Sequence, residues 1–190
     1  GRRRTRVTMG DVSQPEPGAR IHAGDPFATP EHARSPVRRL RGRLPAPVTL
    51  WTAGGPGGRA GLTVSSTLVA DGDPARLLGL IDPEAEFWAE AERAGRFAVA
   101  ALRSNHRQLA DRFAGLLPAP GGLFGDAEWT DTEYGPMLPD VSSWAGCRLD
   151  GARPYGWALL IEATIERVEL GDDRDPLVYF RGRYRTLTDR

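Results

Sequence analysis

Apolar positions are spread unevenly along the 190-residue chain. Residues 1–43 are rich in Pro, Gly, Arg and His with little apolar periodicity, which predicts an extended or partly disordered N-terminal arm. Within it "PVRRLRGRL" reads as a short helix or a stretch draped on the body. From Leu44 the pattern changes, and 44–190 reads as one domain. "APVTLWTAG" (46–54) carries the β-branched and aromatic residues of a strand. The run "GGPGG" follows as a wide turn, with no GKS or GKT to make it a phosphate loop. "AGLTVSSTLVA" and "ARLLGLID" predict two more strands on either side of the turn "DGDP".

The next periodicity is helical. "PEAEFWAEAERAG" (83–95) places Pro83 in a first turn, Glu84 and Glu86 at the positive helix end, and Gly95 at the stop. "RFAVAAL" predicts a strand, and "SNHRQLADRFAG" (104–115) a second helix. Ser104 or Asn105 would cap it, Leu109, Phe113 and Leu116 would face the core, and Gly115 would close it. After the linker "LPAPGG" and a loop-rich excursion, "LFGDAEWTDTEYGPMLP", three strands remain: "VSSWAGCRLD", "WALLIEATIERVEL" and "PLVYFRGRYRTL". In the long middle one, Leu160, Ala163, Ile165 and Val168 roughly keep alternation, while Glu162, Thr164 and Glu166 take the other face. Strands dominate and most connections are short. This predicts a mostly β fold, a closed or half-closed antiparallel barrel with short helical insertions. A doubly wound parallel sheet would need a helix after nearly every strand.

Composition narrows the function classes. The 25 basic and 25 acidic side chains cancel, so no net field draws the chain to nucleic acid or to a membrane. Cys147 is alone, which excludes an intrachain disulfide and a Cys-based metal site. His22, His32 and His106 show no HxxxH or HxH spacing, so no metal site is expected. No apolar run approaches the ~20 residues of a membrane span, and no signal-peptide pattern is seen, so the cytoplasm is the expected compartment. "DGDP" and "GDDRDP" read as turns, and "RGRYR" as a strand with Arg181, Arg183 and Arg185 on one face, suited to a phosphate or a dimer interface. Cys147 is expected to be buried and inert, and Trp157 to be a core residue or a stacking surface.

The unusual stretch is "GGRAGLTVSSTLVADGDP", which sets Thr63, Ser65 and Ser66 among Leu62, Val64, Leu68 and Val69. Together with "PVTLWTA", "AGRFAVAALRSNHRQLADRFAG" and "PLVYFRGRYRTL", in this order and at these separations, it resembles the flavin reductase-like, FMN-binding split-barrel family over about residues 36–187. That resemblance implies an antiparallel, Greek-key-like split β-barrel. It implies FMN (or FAD) as the flavin, NADH or NADPH as co-substrate, a homodimer, and service as the reductase component of a two-component monooxygenase. Leu62, Thr63, Val64, Ser65 and Ser66 would hold the isoalloxazine ring, because small hydroxyls and backbone N–H groups can match its polar rim. Thr52 would flank the ring, and Ile81, Asp82, Pro83 and Ala85 would lie near the ribityl-phosphate.

The chain departs from the family pattern at three places. In relatives, hydroxyls and a basic side chain hold the phosphate after the strand; here "IDPEAEFW" keeps Asp82 but has Ala85 and Phe87, with Glu84 and Glu86 adding negative charge. Arg59, Arg107, Arg112 and Arg181 are the candidate phosphate partners. Tyr155, Gly156 and Trp157 replace a Gly-Asp-His segment, and Ala100 replaces an Asn. Hydride transfer needs aligned rings rather than a protein acid or base, so no catalytic residue is named. These departures motivate an alternative, a flavin-binding or pocket-degenerate dimeric protein without reductase activity.

Overall fold

The computed structural model describes residues 35–187. Most of the expected arm, 1–34, lies outside the described residues. The helix anticipated in "PVRRLRGRL" is α1 (Pro36–Gly42). Its start is set by Pro36 and by Ser35, whose Oγ accepts from the Arg38 N–H at 3.2 Å.

Seven strands form one antiparallel sheet. In chain order they are β2 (Thr49–Ala53), β3 (Ala60–Val64), β4 (Thr67–Ala70), β5 (Arg76–Ile81), β6 (Arg96–Ala101), β9 (Trp144–Tyr155) and β10 (Ala158–Glu169). Across the sheet the order is β3-β2-β6-β9-β10-β5-β4. Thus β3 and β4, neighbours in the chain, stand at opposite edges with only Ser65 and Ser66 between them. A flat sheet could not be bridged by two residues, so it rolls into a barrel whose seam lies at that corner. Two satellites complete the β structure: β1 (Ala46–Pro47) with β11 (Leu177–Phe180) and β12 (Arg183–Thr186), and the small pair β7 (Thr130–Asp131) and β8 (Pro136–Met137).

Both faces of β2 and β6 are covered, which explains their near-continuous apolar character. Inside the barrel, Trp51 stacks on Phe97 at 4.9 Å, and both meet the edge of Phe87 at 5.9 Å. Phe87 belongs to α2 (Glu86–Ala94), which plugs the barrel with Phe87 and Ala91. On the other face Leu50, Ala98 and Ala100 pack with Phe113, Tyr134, Trp144 and Leu177. Phe113 comes from α3 (Arg107–Phe113), which follows a single 3₁₀ turn at Ser104–His106. Among the described residues no helix is long and apolar enough to cross a membrane.

The mostly β barrel expected from the sequence is the fold observed. Several local expectations are corrected. "AGLTVSSTLVA" is two strands, because the chain turns from one barrel edge to the other at Ser65–Ser66. α2 starts at Glu86 rather than Pro83, because Asp82 first closes a turn, taking the Glu84 N–H on Oδ1 at 2.9 Å and the Ala85 N–H on its carbonyl at 3.1 Å. Gly95, at φ +69°, does end it. Neither Ser104 nor Asn105 is the N-cap of α3; His106 is, and the Ser104 hydroxyl donates to Asp175 at 2.6 Å. Leu116 is 69% exposed, and Ala110 fills the place expected of it. In β10, irregularities after Glu162 and after Ile165 reset the facing, leaving Val168 exposed. Arg181 is not in a strand but, with Gly182, in the left-handed turn between β11 and β12.

Candidate functional site

A groove of about 660 Å³ opens beside the outer edge of β3. One wall is Arg59, Ala60, Gly61 and Leu62; a second is Asp82, Ala85 and Glu86, at the junction of β5 and α2. The third runs from Arg112 through Gly115 at the end of α3, and loop residues 121–125 face it. Gly61 is required here, because a Cβ on it would sit 2.6 Å from the Phe113 ring. That close approach lets Phe113 stand against β3. Phe124 meets Phe113 edge-on at 5.1 Å, and Trp129 closes the aromatic group behind them. Gly121 and Gly122 adopt φ +89° and +91°, folding the loop back over the groove. The volume falls in the range of small-molecule pockets, and the lining is apolar and aromatic with a polar rim.

That rim is strongly charged. Arg59 donates Nε and Nη2 to the two carboxylate oxygens of Asp131, at 3.0 and 2.8 Å. Arg112 Nη2 lies 2.8 Å from Asp126 Oδ2, while its buried Nε meets no acceptor among the described residues. Asp82 and Glu86 line the groove as exposed carboxylates.

Of the residues expected at the site, Leu62, Asp82 and Ala85 line this groove. The others lie outside its lining. Val64 and Ile81 are buried core residues. Thr52 is fully buried and donates to the Pro136 carbonyl at 2.7 Å. Thr63 donates to the Ala110 carbonyl at 2.7 Å, tying β3 to α3. The Ser66 hydroxyl donates to the Leu80 carbonyl at 2.7 Å and accepts from the Leu80 N–H at 3.0 Å. Ser65 sits half-buried at the seam, and Pro83 is exposed in the turn before α2. Of the arginines considered as phosphate partners, Arg59 and Arg112 reach the groove; Arg107 is an exposed residue opening α3, and Arg181 lies in its distant turn.

Sequence reasoning missed Phe113 as a groove wall, Phe124, and the glycines at 121, 122 and 125. The signal was present in "GGLFG", aromatic and apolar residues between glycines, but it read as an irregular excursion. Trp157 is not a core residue: it is 82% exposed at the β9–β10 hairpin tip, where Gly156 has φ +60°. Leu159 pairs with Ile81, so the hairpin tip lies beside the turn that carries Asp82 and Pro83. Cys147 is fully buried, and burial pushes its thiol up to about 12.

Comparison with known proteins bears on this geometry. The sequence model of the flavin reductase like domain matches residues 41–188. The chain is 32% identical over 151 residues to "FMN reductase (NADH) RutF 1" of Methylorubrum extorquens, covering 79% of this chain and 74% of that one. Among solved structures it is similar to BorF, the flavin reductase component of a bacterial two-component tryptophan halogenase, with TM-score 0.70, 26% identity, and 81% and 99% of the two chains covered. A homologue of nitrilotriacetate monooxygenase component B from Mycobacterium thermoresistibile shares the fold, with TM-score 0.72, 21% identity, and coverage of 80% and 85%. The matched residues contain the whole barrel, both helices that flank the groove and every groove residue, and the chain belongs to the flavin reductase-like family.

Proposed function

We propose that this protein is an NADH-dependent flavin reductase that acts on FMN, with FAD as a possible second flavin, and supplies reduced flavin to a separate monooxygenase. The observation that carries the reading is the likeness to an NADH-dependent FMN reductase over 79% of the chain, on a barrel that opens a ring-sized groove. The likeness to BorF, the flavin reductase component of a two-component halogenase, supports the role of supplier.

The residues present fit a flavin. Leu62, Phe113 and Phe124 offer apolar and aromatic surface to a flat tricycle. β3 is an edge strand, so backbone groups on its outer side have no strand partner among the described residues and can meet the polar rim of the ring. The orphaned Nε of Arg112 is a donor awaiting an oxygen. Ala85 and Asp82 would lie toward the ribityl chain, and Ser65 with the backbone around Thr63 and Ser66 toward the ring. Bound nicotinamide and flavin would supply the redox chemistry, and Leu62, Phe113 and Phe124 would hold the flavin ring in place for it. Trp157, exposed beside the Pro83 turn, offers a face on which the second ring can stack.

A homodimer is part of the same proposal, and the exposed Leu68 and Val69 on edge strand β4 are its candidate contact. The test is direct. Purified protein mixed with NADH and FMN should consume NADH at a rate proportional to enzyme. Flavin binding without NADH oxidation would overturn the reductase reading in favour of a flavin-binding protein.

A further inference from the structure

The charges around the groove are unusual for a site that takes a phosphorylated ligand, since such sites ordinarily leave guanidinium forks unpaired for the phosphate. Here both arginines are already engaged. Arg59 is held in a two-point fork by Asp131 at 3.0 and 2.8 Å, and Arg112 by Asp126 at 2.8 Å. Asp82 and Glu86 line the same groove, and neither forms a salt bridge among the described residues. Counting the lining residues and the partners of the arginines, two positive charges face four negative ones, a net charge of minus two.

The α2 N-terminus at Ala85 and Glu86 points the other way, but it contributes only about half a positive charge. Ala85 has no side-chain oxygen to add, and Asp82 spends one oxygen on the Glu84 N–H at 2.9 Å, keeping its charge at the rim. The buried Arg112 Nε, unpartnered among the described residues, would donate to a neutral carbonyl or hydroxyl oxygen as readily as to a charged one, so it does not by itself call for a phosphate. At low salt the screening length is about 30 Å, so any phosphate placed in a groove of about 660 Å³ feels all of these groups.

We propose that the groove selects flavins by charge. Neutral riboflavin is held more tightly than FMN, whose phosphate dianion enters against repulsion, and Glu86 with Asp82 sets that preference. This rests on the reading of the groove as the flavin site. FMN remains a substrate, but its affinity carries an electrostatic penalty that riboflavin escapes.

The experiment titrates the full chain with riboflavin and with FMN, following quenching of flavin fluorescence, at ionic strengths from about 0.01 M to about 1 M. Exposed carboxylates predict a dissociation constant for riboflavin roughly 3- to 10-fold below that for FMN at low salt, converging as salt rises. E86Q should narrow the ratio of the FMN to the riboflavin dissociation constant at low salt, because it removes one of the carboxylates that face the phosphate. The salt series on the unaltered chain tests the idea even if a variant fails to fold. FMN bound more tightly than riboflavin at low salt, or a ratio unmoved by salt or by a folded E86Q, would overturn the charge selection while the reductase reading stands. Binding of neither flavin would overturn both.

Discussion

Gly79 shows how a single position fixes the interior. A Cβ added there would lie 2.6 Å from Cη2 and 2.7 Å from Cζ2 of Trp51, and 3.2 Å from the Ser66 carbonyl. The indole crosses the barrel and rests on β5 because residue 79 has no side chain. Gly79→Ala must push Trp51 off its stack on Phe97, or open the seam, and overpacking of this kind costs about 1–3 kcal/mol. In thermal unfolding each kcal/mol lowers Tm by about 2–4 °C in a domain of this size. An unchanged Tm would show that Trp51 is not seated as described. Cys147 makes a second residue-scale prediction. Burial, with Glu166 and Asp150 adding to it, raises its thiol from 9.0 to about 12. The folded chain therefore keeps a proton that the unfolded chain loses first, so stability falls as pH rises from about 9 toward 12, by up to about 1.4 kcal/mol per unit. Cys147→Ala should flatten that alkaline loss, and native Cys147 should resist alkylation at pH 8 until denaturant is added. Prompt labelling of the native protein would contradict its burial.

At the scale of elements, the hydroxyls clustered in "LTVSST" belong first to the barrel's own closure. Thr49 Oγ1 donates to the Val64 carbonyl at 2.7 Å and lies 2.9 Å from Thr67 Oγ1, and Trp51 Nε1 donates toward both hydroxyls at 3.1 and 3.2 Å. Ser66 clasps both backbone groups of Leu80 across the seam. Ser66→Ala removes the clasp and leaves a half-buried N–H and carbonyl to find water, so a loss of about 1–3 kcal/mol is expected in a denaturant titration, with β3 and β4 exchanging amide protons fastest. No loss would mean the seam is closed by packing alone. The sequence made these strands legible through β-branched and apolar alternation, and α2 through its acidic start and Gly95. It could not show that Val64 and Thr67 lie on opposite edges, since adjacency across a rolled sheet is set by β5, β9 and β10, far along the chain. For the same reason Leu62, Asp82 and Ala85 could be named from the sequence as candidates and do line the groove, whereas Phe124 lines it unannounced. Its place depends on two left-handed glycines folding a loop back onto α3.

At the scale of the molecule, the barrel leaves one conspicuous edge. Among the described residues β4 pairs only with β5, and Leu68 and Val69 on it are each 65% exposed, with Leu78 beside Leu68 in register. An unpaired strand edge carrying large apolar side chains invites another strand or another copy, and natural chains ordinarily guard such edges with charge or proline. No charged side chain interrupts Thr67–Ala70, which is why this edge carries the proposed homodimer contact. A dimer through β4 should therefore run at about twice the 20.7 kDa chain mass in light scattering after gel filtration. Replacing Leu68 and Val69 together with Arg should shift it to the chain mass, because two cations per copy would face their symmetry mates across one interface. Since β4 continues directly from the Ser65–Ser66 corner, the same double substitution should also weaken flavin binding if the second copy helps enclose the ring. A monomer in the unaltered chain would overturn the proposed homodimer, and a dimer that survives both arginines would place its interface elsewhere; either result removes β4 from the account.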